Sequence, residues 1–234
     1  MAFTWTRRLC AAAAVLFASA SSAFAGDFNP PPWRGAPLST WQIWGFGAPD
    51  PIPQPPDQWF QNPPLSFPAG MLPQGAMGMD PEWLPTVGTP GGGASGVWCL
   101  WPMEALCFRV PNYDNHNPYK LVRIQIKYFN PENTTGGPPV PPLIEIGPDV
   151  VPSEIIPLGS AAEPIDPSGL GFWNLSFDFE IRPNPAEEFI YIRNGKNSQI
   201  YIDQVVIDTI CVPGAPAFGL AAVAGLAAFR RRRA

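Results

Sequence analysis

Histidine is almost missing from this 234-residue chain: His116, in Asn112-Tyr-Asp-Asn-His-Asn-Pro118, is the only one. A serine or cysteine triad needs an imidazole beside its nucleophile, and no Gly-x-Ser-x-Gly turn is present, so that chemistry has no support. Cysteine is scarce too. Cys10 lies at the start of the first apolar run, which leaves Cys99, Cys107 and Cys211 without the histidine partners a zinc site would need. Charged residues make up only 14% of the chain, and cations are the rarer sign. Between residues 26 and 211 eight basic residues stand against all 19 acidic ones, a net charge of about −11. Such a surface repels nucleic acid and anionic membrane. Long apolar runs are missing as well. Leu9–Ala18 and Ala215–Phe229 both fall short of the ~20 residues of a permanent membrane helix. Nothing between them carries a helical period.

What is plentiful is proline (33), glycine (22) and tryptophan (9). At the front, Arg7 and Arg8, the apolar run and Ala23-Phe24-Ala25 form the basic, apolar and small-residue regions of a secretory leader, cut after residue 25 by signal peptidase. At the back, Val212-Pro213-Gly214-Ala215-Pro216 breaks the chain before 15 uncharged residues, Ala215 to Phe229, and then Arg230, Arg231, Arg232 and Arg233. As a helix that run spans roughly 22 Å at 1.5 Å per residue, short of the ~30 Å hydrocarbon core. The arginines would stay on the cytoplasmic side, with the rest of the chain outside.

This three-part tail resembles the PEP-CTERM sorting signals recognised by exosortases, with one departure: Pro213-Gly214-Ala215-Pro216 has no glutamate between its prolines. The resemblance implies an exosortase-like processing enzyme as partner, a transient inner-membrane tether and a surface or extracellular destination. The chain thus divides into a leader (1–25), one domain (26–211) and a sorting segment (212–234).

Within the domain the patterning is β. Lys120 to Phe129 alternates Val122, Ile124, Ile126 and Tyr128 against Arg123, Gln125 and Lys127. Phe172 to Ile181 alternates Trp173, Leu175, Phe177, Phe179 and Ile181 against Asn174, Ser176, Asp178 and Glu180. One polar and one apolar face is the mark of an antiparallel sheet wet on one side. Further strands are expected at Ser39–Phe46, Leu143–Ile146, Glu154–Leu158, Phe189–Arg193 and Gln199–Cys211. Asn194-Gly195 signals a hairpin between the last two, and Val205-Val206 breaks the final alternation with a bulge near Gln204. The Pro/Gly-rich stretch 48–96 reads as a long loop with short edge strands. Cys99 and Cys107 are symmetric about Met103, and if that segment is a hairpin they face each other and can form a disulfide. The fold expected is an all-β, antiparallel sandwich, jelly-roll-like, with long Pro/Gly-rich loops, flanked by an N-terminal signal helix and a short C-terminal apolar helix.

Pro31-Pro32-Trp33-Arg34-Gly35, Trp44-x-Phe46, Arg182-Pro183-Asn184-Pro185 and Ile202–Thr209 together resemble secreted bacterial β-sandwich proteins that carry such a tail and have no assigned activity. The last strand, with Ile202-Asp203-x-Val205, is similar to that of jelly-roll carbohydrate-binding modules. These resemblances imply a structural or adhesive surface protein, or a module that holds extracellular polysaccharide.

For sugar stacking the candidates are Trp41, out of phase with Trp44, and Trp59 and Trp83 in the loop region, with His116 in a polar loop. Trp173 reads as core. Paired carboxylates can hydrolyse glycosides, but Asp178, Glu180, Asp203 and Asp208 lie on polar strand faces, where solvation is the simpler account. The sequence implies no cofactor beyond a structural calcium on loop oxygens, for which Asp203 is the favoured ligand.

Overall fold

The computed structural model describes residues 27–49, 52–63, 70–75, 80–113, 118–148, 154–185, 187–195 and 198–213. The leader and the tail after Pro213, with the helices expected there, lie outside them. The described residues form twelve strands and no helix: β1 (Ser39–Trp44), β2 (Gln58–Asn62), β3 (Gly70–Gln74), β4 (Glu82–Thr89), β5 (Gly92–Leu100), β6 (Ala105–Pro111), β7 (Tyr119–Phe129), β8 (Leu143–Pro148), β9 (Glu154–Pro164), β10 (Trp173–Arg182), β11 (Glu187–Arg193) and β12 (Ile200–Val212). No helix among them is long and apolar enough to cross a membrane.

The strands make two antiparallel sheets. The larger runs β2-β1-β12-β7-β10-β9, with β5 paired to the start of β12 and β4 paired to β5; the smaller is β3-β6-β11-β8. β1 and β5 therefore lie end to end along one side of β12, Trp44 opposite Val205 and Trp98 opposite Ile202. Where they meet, a Cβ on Gly96 (φ 70°) would sit 2.2 Å from the Phe46 carbonyl oxygen, so only glycine fits.

The apolar faces predicted by alternation close on one core, a sandwich-like arrangement. Trp44, Val122, Ile124, Ile126, Tyr128, Trp173 and Leu175 come from the large sheet, and Leu106, Phe108, Val110, Ile190 and Ile192 from the small one. Trp173 is core, as its phase in the strand required. The final strand's bulge falls between Ile202 and Gln204, with Asp203 as the extra residue.

Two expected hairpins are instead crossings between the sheets. β5 belongs to the large sheet and β6 to the small one, so Trp101–Glu104 carries the chain across the sandwich. Cys99 and Cys107 end on different sheets, and both thiols are free and buried. The disulfide expectation rested on a hairpin that does not form. Likewise β11 and β12 do not pair, and Asn194-Gly195 leads from one sheet to the other. The reason is tertiary. Asn194 is fully buried; its backbone N–H donates to the Glu104 carbonyl, its amide to the Leu100 carbonyl (2.9 Å), and its own carbonyl accepts from Met103 N–H. The two crossings brace each other. In the Pro/Gly-rich stretch the structure places β2, β3 and a true β4–β5 hairpin, more strand than expected there. β9 runs on to Pro164, six residues beyond the expected Leu158.

Candidate functional site

The outer face of the large sheet carries most of the polar residues singled out by the sequence. In register across four strands lie Trp41 (β1), Asp208 (β12), Arg123 (β7) and Asp178 (β10). The expectation was a solvated face. Instead the segment 27–38 crosses it as a strap, because its side chains complete the polar row. Arg34 is held between Asp208 (Nε to Oδ1, 2.5 Å) and Asp27. The amide of Gln125 donates to Asp27 (2.9 Å) and its Oε1 accepts from Asn29 N–H (2.9 Å). Arg123 grips Asp178 with two bonds of 2.7 and 2.8 Å and donates to the Asn29 carbonyl. Asp208 is fully buried, and burial pushes its carboxyl above the ordinary value despite the pull of Arg34. The hydrogen bond to Asp178 raises Arg123 further.

Glu180 pairs with Arg182, and Asp203, at the bulge, with Lys127 (2.5 Å). Burial raises the Asp203 carboxyl, partly offset by that lysine. Asp203 thus anchors a lysine. Among the described residues no three His, Cys, Asp or Glu side chains converge on a metal-sized site. With Asp178, Glu180, Asp203 and Asp208 each tied to a cation, the group offers structural links and no free acid–base pair.

No family model, curated protein or solved structure matches this chain.

The aromatic candidates separate. Trp41 faces the outer side, stacked on Phe60 (centroids 6.3 Å, 12° between planes) with the Arg34 guanidinium 5.5 Å from its ring centroid. It is half-buried, so strap and edge strand share its ring. Trp59 stands on edge strand β2 and is 62% exposed, the most open of the large apolar side chains described. Trp83 is not open. It belongs to β4, packs against the core, and its indole N–H donates to the Phe46 carbonyl (2.9 Å). The loop expectation failed because β4 pairs with β5. His116 lies outside the described residues, as does the sorting motif apart from Pro213.

The sequence also left an aromatic surface unnoticed on the outer face of the small sheet. Leu72, Cys107, Tyr191 and Glu145 form one row, and Gly70, Arg109, Phe189 and Gly147 the next. Arg109 pairs with Glu187 and Arg193 with Glu145. At one end are the exposed Trp101, Met103 and Leu143. Period-two alternation in Glu187–Arg193 was the available signal, with Phe189 and Tyr191 on the polar phase. The crossing at Trp101 had no signal, because a hairpin would have used the same residues.

Proposed function

We propose that the chain is an exported cell-surface or extracellular-matrix protein with a structural or adhesive role and no catalytic one. Its leader would take it out, and its PEP-CTERM-like tail would tether it in the inner membrane for an exosortase-like enzyme. The observation that supports the non-catalytic reading is the pairing of Asp178, Glu180, Asp203 and Asp208 with Arg123, Arg182, Lys127 and Arg34. A glycosidase needs one carboxyl free to give its proton and another free to attack or activate water.

We read the domain as a jelly roll. Taking β1, β6, β7, β8, β10, β11 and β12, the order β1-β12-β7-β10 faces β6-β11-β8. That is the interleaving produced when an antiparallel ribbon is rolled up, with β9 moved to the edge of the large sheet and β3 added to the small one. Fold alone names no ligand.

The tail is tested by replacing Arg230–Arg233 with alanine and following surface delivery and molecular mass. Unchanged delivery and mass sink the sorting proposal. Polysaccharide turnover that vanishes in Asp178→Asn or Glu180→Gln sinks the non-catalytic one. A second reading, carbohydrate binding, is favoured by one specific observation: Trp59, alone among the tryptophans offered for stacking, presents most of its ring to solvent. A glycan array with the exported protein decides it, with Trp59→Ala as the variant.

A further inference from the structure

A pocket of about 240 Å³ opens where the strap leaves the outer face of the large sheet, lined by Asp27, Phe28, Lys127, Ile165 and Asn174. Lys127 and Asn174 are direct partners across β7 and β10. Side chains so placed start about 5 Å apart at Cβ, so their heads can reach one small group. The Asn174 side-chain oxygen is buried and has no donor. An acceptor left so is a cost that a ligand hydroxyl would remove. The Lys127 ammonium is held by Asp203 and lies 5.3 Å from the Phe172 ring centroid. An ammonium has three donors, and one ion pair does not use them all. Phe28 and the 47% exposed Ile165 supply apolar wall.

We infer that this pocket binds one neutral sugar ring through a pair of adjacent hydroxyls, an assignment that rests on the carbohydrate-binding reading above. One hydroxyl donates to Asn174 Oδ1, which a turn of the side-chain amide about its broad terminal torsion brings to the pocket, its neighbour accepts from Lys127 Nζ, and the C–H face of the ring lies against Phe28 and Ile165. The size fits one ring, being below the ~300 Å³ at which pockets begin to hold drug-sized ligands. The charge fits a neutral ligand. Lys127 is already balanced by Asp203, and the one carboxylate of the lining, Asp27, holds Arg34, so an anionic sugar meets no free cation. Asp203 is then a positioning residue: it fixes the lysine that faces Asn174.

The test is titration of the exported protein with neutral monosaccharides (glucose, galactose, mannose, xylose, N-acetylglucosamine) and with glucuronate, read by NMR at the Phe28 backbone amide, which lines the pocket in every variant. A neutral sugar should shift that amide saturably. Asn174→Leu and Ile165→Asp should each weaken binding roughly tenfold or more. Ile165 is outside the core cluster, so its variant serves even if Asn174→Leu fails to fold. Sugar binding that survives Ile165→Asp but is lost in Trp59→Ala overturns the pocket and leaves the carbohydrate reading standing. Preference for glucuronate overturns the neutral-ligand assignment. Failure of every sugar here, and of every glycan on the array, overturns both.

Discussion

Lys120 and Glu188 form an ion pair between the two sheets, and both side chains are fully buried. Each occupies the apolar phase of its strand, Lys120 in line with Val122 and Ile124 and Glu188 with Ile190 and Ile192. One Glu188 oxygen takes the lysine; the other, Oε2, has no partner. Removing one member leaves a buried charge alone, which costs about 3–5 kcal/mol, whereas replacing both with apolar residues of similar volume is often neutral or stabilising. Lys120→Met and Glu188→Leu should therefore each lose about that much in denaturant unfolding at pH 7. The double variant should unfold within about 1 kcal/mol of the parent, or above it. The pH dependence follows from burial, which raises the Glu188 carboxyl above its ordinary 4.5. A raised folded value gives stability that is full below the unfolded value and is lost as pH rises through the folded one. Without the lysine the folded value rises further, so the deficit of Lys120→Met should shrink as pH falls from 7 toward 4.5. Single variants costing under about 1 kcal/mol, or a double variant equal to the sum of its singles, refute this account.

Arg34→Met leaves Asp27 and Asp208 buried without their cation, and should cost about 3–5 kcal/mol, with amides of residues 27–38 losing protection in hydrogen exchange; unchanged protection contradicts the strap. Burial also raises the fully buried Glu104, whose Oε1 has no partner. Its contribution too is lost as pH rises above the ordinary carboxylate value, so Glu104→Gln should flatten the fall in stability between pH 5 and pH 8, and an unaltered slope counts against it. Pro157 and Pro164 pair with Phe179 and Trp173 on edge strand β9, while the neighbouring Ile165 N–H bonds back to Phe172. Both prolines therefore take outward positions of the edge. Replacing both with threonine should restore two donors there and increase self-association by sedimentation, and an unchanged profile refutes their edge-guarding role. Trp59→Ala should change unfolding free energy by no more than about 0.5 kcal/mol, since most of the ring is already in water; a larger loss means it packs.

The strands that alternate cleanly were legible, as were the bulge beside Gln204 and the core position of Trp173, because each follows from local phase. The partners of those strands were not. Asn194-Gly195 turns the chain as its chemistry requires, but a turn signal does not say which sheet receives the next strand. Asn194 spends its amide on Leu100, in the other crossing, and that contact is nearly a hundred residues away in sequence. Trp83 was misplaced for a related reason: prolines around it suggested a loop, and the pairing of β4 with β5 depends on a strand that follows. The polar row Trp41–Asp208–Arg123–Asp178 was visible as a polar face, but period-two patterning cannot tell a face open to water from one closed by an ion-paired strap.

That closure changes what the acidic composition means for partners. Every basic residue of the domain that the structure describes, Arg34, Arg109, Lys120, Arg123, Lys127, Arg182 and Arg193, lies in an ion pair with a carboxylate of the same chain. The excess of acids is left at other positions, among them the exposed Asp80, Glu82, Glu154 and Glu163. A polyanion would have to break an existing pair for each cation it used, against the field of the surplus carboxylates. A neutral polymer breaks none. It needs aromatic faces and hydroxyl-sized polar groups, and these are offered by the exposed Trp59, by the half-buried Phe189–Tyr191 face and by the pocket beside Asn174. If the chain meets an extracellular polysaccharide as proposed, this surface chemistry disfavours an acidic one and leaves neutral chains as the better fit.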